Sequence, residues 1–303
     1  MTGAQIAARA ATQRSVFPRA RTGSRVADAV FRAAMYGAIA VGFLALAVLL
    51  YEVAHDGAGR LTWDFLTRFP SKVLPETSGI QSAIVGTLYL MALTAVFVVP
   101  LGVATAIYLE EYADRDRWYN RLVEVNIQNL AAVPSVVYGI LGLAFIVRGP
   151  LGMGRVLLAG GITLGLLVLP VVIIVSREAI RAVPPSVREG ALALGATQWQ
   201  TIWKQVLPGS VAGIATGVIL ALSRAIGETA PLLLIGAAAS PRFNPSGLFD
   251  SFTALPIQIF VWTQDPDRSF VSAAAGAILV LMLILLLMNS VAIFLRNRYE
   301  QKW

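Results

Sequence analysis

Apolar residues in this chain come in long unbroken runs rather than in stripes. Leu279–Leu287 reads Leu-Val-Leu-Met-Leu-Ile-Leu-Leu-Leu, without one polar position. A half-buried strand would alternate, and a soluble helix would turn a polar face outward every third or fourth residue. A hydrocarbon core of about 30 Å needs about 20 apolar residues in a helix. Six segments meet that length: roughly 33–51, 82–109, 125–147, 156–175, 209–237 and 271–295. Transmembrane strands are excluded, because barrel segments are about ten residues long and strictly alternating. The pattern predicts an all-α integral membrane protein built as a six-helix transmembrane bundle. Gly161/Gly165 and Gly213/Gly217 repeat at four-residue spacing, which lets helix backbones approach in lipid. Pro134 and Pro170 fall within spans and predict kinks.

Composition strengthens that reading. Of 303 residues, 57% are apolar and 14% charged, with a mean hydropathy of +0.71. The net charge of +7 would suggest nucleic acid in a soluble protein. Here basic loops facing an anionic membrane surface account for it, and no nucleic-acid partner is expected. With no cysteine and one histidine, His55, thiol chemistry, disulfides and metal clusters are excluded as functions.

Lys and Arg are unevenly placed between spans. The segments 1–32, 110–124, 176–208 and 296–303 carry 16 of them, and the alternate loops 52–80, 148–155 and 238–270 carry 7. By the positive-inside rule both termini are predicted to be cytoplasmic. Residues 1–32 read as a basic cytoplasmic tail that ends in a short approach helix from about Val26, not as a cleaved signal. Residues 33–303 form the membrane domain.

The loop 176–208 is too long for a connector and too apolar to be simply solvated. After Pro184-Pro185, Ser186-x-x-Glu189 and Thr197-x-x-Gln200 both have capping-box form, and Gly195 lies between them. The spacing predicts two short helices around a turn at Gly195, with Pro208 introducing the next span. Trp199 and Trp203 fall one helical turn apart. Such a hairpin either docks into another protein or packs beneath its own membrane domain.

Span 209–237 contains two charges, Arg224 and Glu228. A charge at the bilayer centre costs about 2.5–3.5 kcal/mol on insertion scales, so both need a reason to be there. Four-residue spacing puts them on one helix face, Ser223 and Thr229 add hydroxyls, and Pro231 predicts a kink. The pair is either an ion-pair lock between helices or an oxyanion site, since a guanidinium offers a planar donor fork. Arg177, at the end of span four, is a second candidate anion contact or a membrane-boundary anchor.

Two motifs resemble a known family. Glu189-Gly190-Ala191, three residues, Gly195, nine residues and Val206-Leu207-Pro208 keep the spacing of the EAA loop of ABC-importer permeases, with Gly190 and Gln205 as departures. The run Leu222-Ser-Arg-Ala-Ile-Gly-Glu-Thr-Ala-Pro231 resembles the phosphate-importer permeases of the PstA type. So do Ile107–Tyr112, Val133–Gly139, Ser176–Pro184, Leu255–Phe260 and Leu295–Tyr299. The likeness covers about residues 60–303.

The resemblance implies a type I, MetI-like permease that passes inorganic phosphate inward. Arg224, Glu228 and Thr229 would lie on the substrate path, with Arg177 as a further contact. Glu189, Gly190, Ala191, Gly195, Leu207 and Pro208 would form the coupling helix region, within 184–208, that receives a cytoplasmic ATPase. It implies a second permease of the PstC type, two ATPase copies, an outer phosphate-binding protein and membrane lipid as partners. The chain lacks a phosphate-binding G-x-x-x-x-G-K-[ST] loop. No cofactor is therefore expected on this chain, which is expected not to be an enzyme, and ATP with Mg would be used by the ATPase subunit. A permease for molybdate or sulfate is the nearest alternative. A secondary transporter is a further one, although it would carry more intramembrane acids.

Overall fold

The computed structural model describes residues 22–71, 73–114, 116–237 and 240–299. The chain divides into two compact units, Met1–Glu52 and Val53–Trp303. The described residues of the first form one helix, α1, which runs over Thr22–Gly57 and crosses the boundary. Its apolar side chains, among them Phe31, Ile39, Phe43 and Leu49, are exposed, as suits a lipid-facing rod. Span one is therefore longer than expected, because the approach helix is part of it. The rest of the expected tail, residues 1–21, lies outside the described residues.

The second unit continues with a short helix α2 (Trp63–Thr67), capped by the Thr62 hydroxyl accepting from the Phe65 N–H. Helix α3 (Gln81–Ile107) runs through Pro100 and closes in a wide π turn, Tyr108–Tyr112. Helices α4 (Trp118–Ala131) and α5 (Ser135–Leu141, extended by a π turn to Val147) follow. Next come α6 (Leu157–Arg181), α7 (Pro185–Ala193) and α8 (Gln198–Thr201). A π turn, Ile202–Val206, joins α8 to α9 (Leu207–Ile226). Then come α10 (Ala230–Ile235), α11 (Leu255–Thr263) and α12 (Phe270–Tyr299). Among the described residues five helices are long and apolar enough to span a membrane, six when the bent pair α4–α5 counts as one.

Helix α6 is the hub, with α3, α9 and α4 packed along it and α5 and α10 beside its first half. Burial from lipid brings no hydrophobic gain, so close van der Waals approach must hold these helices together. The paired glycines supply it. A Cβ on Gly161 or Gly165 would lie 2.6 Å from Leu93 or Phe97 of α3. One on Gly213 or Gly217 would lie 2.8 Å from Ala179 or 2.7 Å from Val175 of α6. Between them Val98, Leu164, Val172, Ile180 and Val206 are fully enclosed. At the end where α3 and α6 begin, Phe65, Trp262 and Phe270 stack into a cap over Ile80 and Leu255. The adjoining loop is pinned by Asp250, whose Oδ2 accepts from the Ser246 hydroxyl and from the Ser246 and Gly247 N–H groups. Those bonds hold its carboxyl below the usual carboxylate range.

Two further spans differ from expectation. The segment 125–147 is not one kinked helix. It is two half-helices meeting at 103°, because Pro134 offers no N–H and its ring drives Val133 out of the helical region. The segment 209–237 breaks at Gly227–Thr229, and α10 restarts with Pro231 in its first turn. Its helix also begins earlier than expected. Pro208 lies in the first turn of α9, but α8, the π turn and α9 run on as one continuous helix, Gln198–Ile226. The wide turn directly before Pro208 bonds Leu207 N–H to Ile202 O, and this re-registration accommodates the proline ring.

Candidate functional site

The two helix breaks face each other. Ala131–Ser135, between α4 and α5, and Ala221, Arg224, Ala225 and Glu228, at the end of α9, line a cavity of about 200 Å³. Leu167, Val168 and Val171 of α6 form its back wall. These residues are halfway along α6, so the cavity lies at the middle depth of the bundle. Interrupted backbone is tolerated at that depth only where it is enclosed by protein or lines a polar cavity.

Arg224 and Glu228 stand at this cavity, yet they do not form a closed pair. Arg224 Nε and Glu228 Oε1 are 3.8 Å apart, too long for a hydrogen bond, and the Arg224 side chain is 72% exposed against 20% for Glu228. The expected buried pair is thus half open, with Arg224 in the last turn of α9 directly before the helix break. A contact of that length does not repay the cost of holding a guanidinium at bilayer depth. Ser223 points elsewhere, its hydroxyl donating to Asn289 Oδ1 of α12 at 3.1 Å. The Thr229 hydroxyl donates at 3.4 Å to Gly227 O and lies outside the cavity lining.

Arg177 is not brought to the cavity either. It is buried near the far end of α6, where its Nε donates to Glu110 Oε1 at 2.8 Å and its Nη2 to Glu124 Oε1 at 2.9 Å. Arg181 Nη2 shares the same Glu110 oxygen at 2.8 Å. Arg177 is therefore the centre of an ion-pair cluster that ties α6 to α3 and α4. Sequence reasoning assigned no role to Glu110, Glu111 and Glu124. A clue was present, since two adjacent acids end an apolar segment on the side richest in arginine.

The hairpin forms as two helices around Gly195, whose φ of +85° is the left-handed conformation that a residue without Cβ adopts freely. The Thr197–Gln200 capping box is complete. The expected box at Ser186 and Glu189 is not made. Pro184 is the N-cap and Pro185 takes the first helical position, which shifts Ser186 inside the helix. Glu189, Gly190 and Gly195 are exposed, Ala191 and Leu207 half-buried and Pro208 exposed. Trp199 and Trp203 pack on each other, with ring centroids 5.3 Å apart, and remain exposed together with Leu192 and Leu194. The apolar stripe is thus not used up beneath the chain's own membrane helices.

Residues 98–302 match the family described as binding-protein-dependent transport system inner membrane component. The chain is 31% identical over 275 residues to the phosphate transport system permease protein PstA 1 of Mycobacterium tuberculosis (strain CDC 1551 / Oshkosh), covering 90% of this chain and 89% of that protein. It is 30% identical over 291 residues to the phosphate transport system permease protein PstC of Pasteurella multocida, covering 86% and 88%. In fold it is similar to a chain of a bacterial alginate ABC transporter solved in complex with an alginate pentasaccharide-bound periplasmic protein. That likeness has a TM-score of 0.65 and 17% identity, and it covers 91% of this chain and 96% of that one. The glycine-packed helices, the exposed hairpin and the match over two thirds of the sequence agree: the chain belongs to the binding-protein-dependent transport system inner membrane components, as an ABC-importer permease of the MetI-like type.

Proposed function

We propose that this permease passes inorganic phosphate into the cytoplasm of a bacterial cell. The observation that carries the reading is Arg224, a guanidinium open to a mid-depth cavity and held only loosely by Glu228 at 3.8 Å. Its fork suits two oxygens of a phosphate. Glu228 balances the charge of the empty site and repels a dianion enough to keep residence short, as conduction requires. A protonated phosphate oxygen can donate to Glu228, whereas fully ionised sulfate has no proton to give. The names carried by the relatives, phosphate transport system permease proteins, support the same substrate.

The open side of the Arg224 site supports a second, similar permease of the PstC type completing the path. The half-exposed Trp199/Trp203 face supports docking of a cytoplasmic ATPase, one copy per permease, on the hairpin that holds Glu189, Gly190 and Ala191. ATP and Mg would be handled there, with no cofactor on this chain. An outer phosphate-binding protein would deliver substrate to the opposite end. The hairpin and both termini then face the cytoplasm, with the chain in the plasma membrane, as the Lys/Arg distribution also favours.

Radiolabelled phosphate uptake by cells carrying the intact complex tests this. Arg224→Ala should abolish uptake while the ATPase still copurifies. Glu189→Lys should instead weaken ATPase copurification. Normal uptake by Arg224→Ala would reduce the pair to a structural feature.

A further inference from the structure

Arg188 lies on α7 of the hairpin, and it spends its fork on other elements. Its Nε and Nη2 donate to Glu111 Oε1 at 3.1 and 2.9 Å. Nη1 donates to Val183 O at 2.6 Å, and Nη2 also reaches Ile180 O at 2.9 Å. One side chain thereby joins the hairpin to the end of α6, to the link that follows it and to the π turn that closes α3. The other hairpin helix is tied at the same residue, because Gln198 Nε2 donates to Glu111 O. Arg188 and Glu111 are 22% and 9% exposed, so water screens this junction far less than a surface pair.

Two helices lead from the junction to the cavity. Helix α6 carries Leu167, Val168 and Val171, the back wall. The continuous helix Gln198–Ile226 carries Arg224 in its last turn. Besides this junction, α7 packs Val187 against the buried core and touches the π turn Ile202–Val206, and it is linked to its neighbours through Pro184 at one end and the Gly195 turn at the other.

We propose that Arg188 is a positioning residue for energy coupling: by clamping the hairpin to Glu111 and to the end of α6, it makes displacement of the hairpin move the α6 wall and the Arg224 helix together. The inference rests on reading the hairpin as an ATPase dock. It adds that docking and transmission are separate properties, carried by different residues of the same hairpin. The exposed Trp199/Trp203 face would receive the partner, and the inward-facing Arg188 would pass the motion on.

The test uses the whole complex in proteoliposomes: this chain, the second permease, the ATPase and the phosphate-binding protein. Three quantities are read, namely ATPase copurification, ATP hydrolysis and phosphate imported per ATP. Arg188→Lys keeps the charge and loses the fork; Glu111→Gln keeps the shape and loses the charge. Both should leave the ATPase bound and hydrolysing while phosphate per ATP falls by about tenfold. The milder Glu111→Gln keeps the test decisive if Arg188→Lys fails to assemble. An unchanged ratio in an assembled variant overturns the proposal, as does a loss of copurification with an unchanged ratio, which would make Arg188 a docking residue. If the unmodified complex copurifies no ATPase, the docking reading itself fails, and the clamp with it.

Discussion

Two groups of charged side chains in the molecule are built on opposite principles. Where α3, α4 and α6 meet, Glu110, Glu124, Arg177 and Arg181 close on one another at 2.8–2.9 Å, and Arg177 and Glu110 are almost wholly buried. At mid-depth, Arg224 and Glu228 stand 3.8 Å apart with the guanidinium exposed. The first group uses its hydrogen-bonding capacity inside the chain and holds three helices in register. The second leaves capacity over, on a helix break, beside a cavity. Charges that are satisfied fix structure, and charges left open are available to a ligand or a neighbouring subunit.

The contrast can be broken most forcefully at Glu110. Glu110→Ala leaves the buried Arg177 with one carboxylate fewer and Arg181 without this contact. It should cost about 3 kcal/mol or more, read as a drop on the order of 10 °C in the melting temperature of the detergent-solubilised protein. A melting temperature that does not move would place the stabilising packing elsewhere. Arg224→Lys is the complementary change. It should leave melting unchanged and lower phosphate uptake by about tenfold, because an ammonium offers no planar fork. Equal loss of stability and uptake would erase the distinction between the two groups. The smallest effect is expected at Glu228→Gln, where inhibition of phosphate uptake by sulfate should rise by about threefold. Unchanged sulfate sensitivity would remove Glu228 from selectivity and leave it the role of a counter-charge.

Much of this was legible in the sequence because membrane helices advertise themselves by length and composition. The hairpin was equally legible, from Pro184-Pro185, Gly195 and the Thr197–Gln200 box, all of which act within a few residues. The broken spans were half legible. Pro134 marked its site, but hydropathy does not separate a kink from a reversal through 103°. Gly227-Glu-Thr-Ala-Pro231 carried a helix stop and restart that the apolar run on either side concealed. Arg177 shows the limit most clearly. Its boundary position suited an anion contact as well as an anchor, and only carboxylates 67 and 53 residues away decided the matter.

The sequence by itself determined that this is a membrane bundle, how many apolar segments it has, where its hairpin turns and which two charges fall within a span. Each of these depends on composition or on interactions a few residues apart. Only the tertiary structure decided which charges are closed and which remain open, since that depends on long-range contacts between helices. The same packing turned two local helix stops into facing walls of one cavity and joined the hairpin to the Arg224 helix as a single rod.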